Sequence, residues 1–262
     1  MRIFVDYKAN NSGKGLFLKR LFPALEDLGV HCSYKDKKCD VALGISKWRH
    51  SVNAPRVLRV NGVALGSTKQ DKWKNDQIRR SIKWSDAVIF QSKFSKKISK
   101  KILGVRPKIG HIIYNGANPK DYECEPVLSP YKKNVLMSAR FADRKYKNLK
   151  GHLEYAANCK DSDTHFWLLG AEGVKNTHNL TSVGFVPEHK VREYLVVCDE
   201  MVYLALKDWC PNAVVEAIVA GLDVKFNPKL AVGKEFEALK REDLFIENIA
   251  KQYKGVFDSV AR

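Results

Sequence analysis

The 262-residue chain is 45% hydrophobic and 10% aromatic, enough to build packed cores, which excludes a mainly disordered protein. Lys and Arg number 46 against 29 Asp and Glu, a formal net charge of +17, which points to a polyanion or an anionic surface as one partner. The excess is confined to one half: residues 1–120 carry 26 basic and 8 acidic side chains, and residues 121–262 carry 20 and 21.

Six cysteines (Cys32, Cys39, Cys124, Cys159, Cys198, Cys210) form no CxxC pair, and most sit in apolar runs. Neither a zinc knuckle nor a disulfide framework is suggested, and reduced thiols in a cytoplasmic protein are expected. The N-terminal run meets Lys8 too soon for a signal peptide, and no apolar run approaches the ~18 residues of a membrane helix.

Short β-branched or aromatic runs alternate with amphipathic stretches along the whole chain, the pattern of parallel α/β sheets. Ile3 to Tyr7 reads as a first strand, followed by the loop Asn10-Asn11-Ser12-Gly13-Lys14-Gly15 and a helix from Leu16 to Leu28 that Gly29 ends. Further strands are expected at 41–43, 57–60, 87–90 and 109–113, with helices at 77–84 and 94–103. The turn-rich stretch from Tyr114 to Pro130 reads as an interdomain linker. It sets a first domain over 1–118 and a second over 119–262. The second half repeats the rhythm, with strands at 135–138, 166–169, 201–204 and 224–226. Helices are expected at 149–157, 190–197 and 213–220, and a last amphipathic helix at 244–260 packs back on the body. Two such domains predict two doubly wound sheets facing across a ligand-binding cleft.

Three segments of the second half carry a resemblance. Asp208-Trp209-Cys210-Pro211-Asn212-Ala213-Val214-Val215-Glu216 runs into a helix ending Ala220-Gly221 and places two acids eight positions apart. The Pro211-Asn212-Ala213 stretch at a helix start offers amide groups beyond the proline and the positive end of the helix dipole to a phosphate or sugar oxygen. Ser138-Ala139-Arg140-Phe141 precedes a basic run in which Lys147 comes before Asn148 and Lys150 before Gly151. Val183-Gly184-Phe185-Val186 ends a third segment. Together these resemble the donor-binding half of retaining GT-B glycosyltransferases of family 4 (group 1). The resemblance implies that Glu216 binds the ribose of a nucleoside diphosphate sugar and Asp208, where the family has Glu, contacts the sugar. It implies that Arg140 and a lysine, Lys147 in preference to Lys150, neutralise the pyrophosphate without a metal ion or other cofactor. Gly184, Phe185 and Val186 would line the base pocket, with a UDP-sugar expected as donor.

In the first half, Gly13-Lys14-Gly15 takes the place of the family's glycine-rich loop, and Arg59-Val60-Asn61-Gly62 is similar to an Arg-x-Asp-Gly run with Asn61 for Asp. His50 stands where a sugar-contacting histidine of the family could fall. The acceptor would belong to this basic half, where Lys96, Lys97 and Lys100, with Trp73 among neighbouring basic residues, could track a phosphate backbone. Duplex DNA carrying hydroxymethylated bases, modified by a compact viral-type enzyme, fits that charge; the target base would have to be flipped out. A polysaccharide or lipid-linked acceptor at an anionic membrane fits it too. A non-catalytic nucleic-acid-binding protein on a degenerate transferase fold is the rival from another class.

Overall fold

The computed structural model describes residues 1–7, 12–142 and 144–261. Asn10 and Asn11 of the first loop lie outside the described residues. The chain forms two compact units, one of Met1–Gly116 with Asp243–Arg262 and the other of Ala117–Glu242.

The first unit contains β1 (Arg2–Asp6), α1 (Gly13–Glu26), β2 (His31–Ser33), β3 (Val41–Ile45) and β4 (Arg56–Val60). It continues with α2 (Lys69–Lys83), β5 (Ala87–Phe90), α3 (Lys93–Leu103) and β6 (Ile109–Ile112). The six strands form one parallel sheet in the order β2-β1-β3-β4-β5-β6. β1, β3 and β5 are nearly continuous apolar runs, and β4 is one apart from Arg56 and Arg59, because both faces of a parallel sheet are covered. Phe17, Leu18, Leu21 and Leu25 turn one face of α1 into that core.

The second unit contains β7 (Lys133–Ser138), α4 (Leu149–Ala157), β8 (Thr164–Leu169), β9 (Leu180–Gly184) and α5 (Glu188–Val197). β10 (Glu200–Tyr203), α6 (Asn212–Ala220), β11 (Asp223–Phe226) and the short α7 (Gly233–Phe236) complete it. Its sheet is also all parallel, in the order β11-β10-β7-β8-β9.

The last helix, α8 (Ile246–Val260), corrects the expected division of the chain. It belongs to the first unit, not the second. Ile246, Ile249, Ala250, Tyr253, Val256 and Phe257 join the core of that unit, and the Tyr253 ring lies 6.0 Å from Phe17 of α1. An amphipathic stripe states that a helix must be covered but not by which sheet. Counted by unit, 28 Lys and Arg against 11 Asp and Glu lie in the first, and 18 against 18 in the second. The whole net charge is therefore a property of the first unit.

The cysteines are free, as expected, but less apolar in setting than their flanks suggest. Only Cys198 and Cys210 are buried, Cys124 is exposed, and the other three lie on edge strands and loops. Among the described residues no helix is long and apolar enough to cross a membrane.

Candidate functional site

In a doubly wound sheet, ligands bind beyond the carboxyl ends of the strands where neighbouring connections leave in opposite directions. In the second unit that point lies between β7 and β10. Arg140 follows β7, exposed and without an ion pair among the described residues. The adjacent turn requires Gly170, whose φ is +80° and whose added Cβ would stand 2.2 Å from the Ala139 carbonyl oxygen.

The basic run after Arg140 sorts its lysines by local geometry. A 3-10 turn over Lys145–Lys147 ends at Asn148, which sits in the left-handed region at φ 58° and caps α4. Its side chain accepts from the Gly151 amide at 3.2 Å and donates to the Leu204 carbonyl at 3.0 Å. A Cβ on residue 151 would stand 2.3 Å from Asn148 Nδ2, so this cap needs Gly151. The turn sends Lys147 inward and leaves Lys150 outside, where it meets Glu154 at 3.5 Å.

Lys147 is 8% exposed; its ammonium donates to the Tyr203 hydroxyl at 2.7 Å and pairs with Asp208 Oδ2. The Tyr203 hydroxyl donates to the same oxygen at 2.6 Å, and Asp208 Oδ1 accepts from the amides of Trp209 at 2.7 Å and Cys210 at 3.3 Å. Burial, followed by the Asp208 charge, holds the Tyr203 phenol well above its ordinary pKa, so it remains a donor. Lys147 and Asp208, assigned by the resemblance to phosphate and sugar respectively, thus form one buried cluster with a tyrosine between them.

Behind this cluster His152 is fully buried. Its Nδ1 lies 2.9 Å from the Asn148 carbonyl oxygen and its Nε2 accepts from the Leu204 amide at 3.0 Å. Burial pushes its pKa down to about 4, so the ring is neutral at pH 7 with its hydrogen on Nδ1. Asn148 and His152 together tie the start of α4 to the strand end that leads to Asp208.

Beyond Asp208, Pro211 precedes α6 and no side chain caps it, so the first-turn amides of Asn212 and Ala213 lie at a helix start of positive partial charge. Glu216 is half-buried one turn further in. Gly184 ends β9 at φ +75°, followed by the half-exposed Phe185 and by Val186. All of these residues lie at or beyond the carboxyl edge of one sheet.

The matching point of the first unit lies between β1 and β3. Gly13 and Gly15, expected in a loop, form the first turn of α1, and Ser12 caps it. Lys14 Nζ donates to Ser46 Oγ at 2.7 Å, and the Ser46 hydroxyl donates to Asn61 Oδ1 at 3.4 Å. Burial, then the charges of Arg59 and Arg49, pull the Lys14 pKa down to about 8. Arg59 is fully buried on β4, 4.1 Å over the Phe17 ring and bonded to Asn115 Oδ1, while its Nε and Nη1 have no hydrogen-bond partner among the described residues. His50, on the loop after β3, holds its Nδ1 2.7 Å from Oδ1 of the buried Asp6. Trp73 is 55% exposed beneath the Lys47 ammonium, and Lys97 is exposed on α3. Among the described residues no three His, Cys, Asp or Glu side chains stand together as a metal site would require.

Sequence reasoning assigned no chemical role to Tyr203, His152, Arg59 and Asn115, although Arg59 opens the run similar to Arg-x-Asp-Gly. The first three sit in or against apolar runs, where such residues read as core. An Arg between Leu58 and Val60, the fourth residue of the five-residue β4, was the available signal.

No family model matches the sequence, and neither does any curated protein. Solved structures do match the fold. A sucrose-phosphate synthase from Thermosynechococcus elongatus superposes with a TM-score of 0.71 at 13% identity, over 99% of this chain and 98% of that one. Anabaena HepE in complex with UDP-glucose gives 0.67 at 12% identity, over 98% and 99%. WaaG, a glycosyltransferase involved in lipopolysaccharide biosynthesis, gives 0.66 at 14% identity, over 100% and 94%. The chain has the two-domain GT-B fold that these glycosyltransferases share.

Proposed function

We propose that the protein is a glycosyltransferase that moves a sugar from a UDP-sugar to a hydroxyl acceptor with retention at the anomeric carbon and without a metal ion. The observation that carries this reading is the Lys147–Tyr203–Asp208 cluster beside Arg140 and the uncapped start of α6, at the switch point of the second sheet. The likeness to HepE, solved with UDP-glucose, supports the donor class. Arg140 and Lys147 are fixed cations for the diphosphate as the bond to the anomeric carbon breaks; Glu216 takes the ribose, and Asp208 with the amides of Asn212 and Ala213 after Pro211 orients the sugar. Gly184, Phe185 and Val186 border the base. The acceptor oxygen forms the new bond on the face the diphosphate leaves, and its proton passes to the departing diphosphate. Catalysis then rests on placement and preset charge more than on proton transfer by the protein.

The acceptor in this proposal is anionic or lies on an anionic surface, because the donor belongs to the unit with no net charge and the excess lies in the other. Hydroxymethylated duplex DNA is the first reading, and a glycan on an anionic membrane is the second, favoured by the likeness to WaaG.

Calorimetric titration with UDP-glucose tests the donor site. Glu216→Ala is expected to abolish measurable binding while the circular dichroism stays unchanged. Affinity retained within about threefold, less than the roughly 1.5–3 kcal/mol of one hydrogen bond to a charged group, sinks the assignment. UDP release without acceptor separates an enzyme from a binding protein on the same fold. Turnover is expected to persist in excess EDTA; loss restored by manganese overturns the metal-free mechanism.

A further inference from the structure

In the first unit, three strands from its switch point, a cavity of about 240 Å³ lies against α3 and the edge strand β6. Lys96 and Lys100, four residues apart and so on one face of α3, line it together with Arg106 from the following loop. Phe90, Val105 and Pro107 supply an apolar wall, and no Asp or Glu among the described residues lines it. The Lys96 ammonium is anchored by a 3.2 Å bond to the Gly110 carbonyl, which uses one of its three protons.

Some other cations of this unit meet carboxylates: Arg79 pairs with Asp76, Lys108 with Asp86 at 3.8 Å and Arg2 with Asp40 at 4.0 Å. Lys96, Lys100 and Arg106 pair with none among the described residues. A cation at Lys100 has a local reason, since with Lys101 it occupies the last turn of α3 and complements the helix dipole. That reason does not extend to Lys96, a turn earlier, or to Arg106, which is off the helix. Three like charges around one cavity repel one another until an anion enters.

We propose that this cavity binds a small phosphorylated molecule, its phosphate held by Lys96, Lys100 and Arg106 and its carbon body against Phe90, Val105 and Pro107. A phosphomonoester near pH 7 carries close to two charges and three acceptor oxygens, and guanidinium with ammonium groups is the side-chain set that matches it. The volume falls below the ~300 Å³ at which pockets for larger ligands begin, which favours a phosphorylated monosaccharide over a nucleotide. This site is independent of the glycosyltransferase reading. In this proposal Lys96 and the exposed Lys100 serve the cavity, and Lys97 lies outside it.

The test is calorimetry on the full chain with glucose 6-phosphate, glucose and inorganic phosphate, with and without UDP. Glucose 6-phosphate is expected to bind with a dissociation constant below about 1 mM, inorganic phosphate more weakly and glucose not at all. Arg106→Met and Lys100→Met, which keep an apolar stem, should each weaken it at least about tenfold, with Lys97→Met unchanged and UDP without effect. Absence of binding at about 10 mM, an equal loss in Lys97→Met, or displacement by UDP overturns the proposal. The last outcome would place the phosphate in the donor site, and UDP affinity measured on the same variants separates the two sites.

Discussion

At the scale of single residues, the second unit secures its cluster with neutral groups placed behind charged ones. His152 bonds to the backbone on both sides of the Asn148–Leu204 contact, and only its neutral form can accept from the Leu204 amide. Its pKa of about 4 in the folded chain compares with about 6.5 in the unfolded one. Between those values the unfolded chain binds the extra proton, so acid favours unfolding. The stabilising contribution is fully present above about pH 6.5 and is lost by about pH 4, a change of about 3 kcal/mol. Urea unfolding at about pH 7 and about pH 4.5 should show most of this loss in the wild-type chain. His152→Gln should be less stable at neutral pH and lose less on acidification. An equal acid loss in both chains would remove His152 as the cause.

At the scale of elements, what the sequence made legible depended on burial. The central strands of both sheets were readable because they are apolar on both faces, and α4 was placed residue for residue. The two missed strands, β2 with its His-Cys-Ser and β9 with its Thr-Ser, are both edges of their sheets, where less surface is buried and the apolar pattern thins out. The first turns of α2 were missed because Lys69 to Lys74 offers only Trp73 as an apolar residue. Its start signal lay in Thr68, which caps the helix by accepting from the Asp71 amide at 3.1 Å. Asp208 and Glu216 were legible because their spacing is local. Tyr203 was not, because its partner Lys147 lies 56 residues away.

The placement of α8 makes its own prediction at this scale. Phe257 is fully buried in the core shared with α1, β1 and β3, so Phe257→Ala should cost about 3–5 kcal/mol. Hydrogen exchange should locate that loss. Amides of β1, β3 and β4 are expected to exchange faster, while β7, β8 and β10 keep their protection. Loss of protection in β7 and β10 instead would return the helix to the second unit.

At the scale of the whole molecule, the two units divide their electrostatics. One carries the full +17 and the other is balanced, although the anionic donor of the proposed reaction belongs to the balanced one. The proposed donor site takes its cations, Arg140 and Lys147, from the balanced unit, so the other unit's charge is left for a different anion. Part of it lines the α3–β6 cavity. Lys72, Lys74 and Lys97 do not; they are exposed and flank Trp73 or continue onto α3. If duplex DNA is the acceptor, log affinity should fall against log salt with a slope of about −0.9 per phosphate neutralised. Reversing Lys72, Lys74 and Lys97 to Glu should flatten that slope and leave UDP-glucose affinity unchanged. An acceptor on an anionic membrane predicts the same salt sensitivity for vesicles containing phosphatidylserine and negligible affinity for DNA. A side-by-side titration of a duplex and such vesicles at near-physiological salt therefore decides between the two acceptors. Binding to neither would mean that the charge serves solubility, and a neutral glycan would become the acceptor to test.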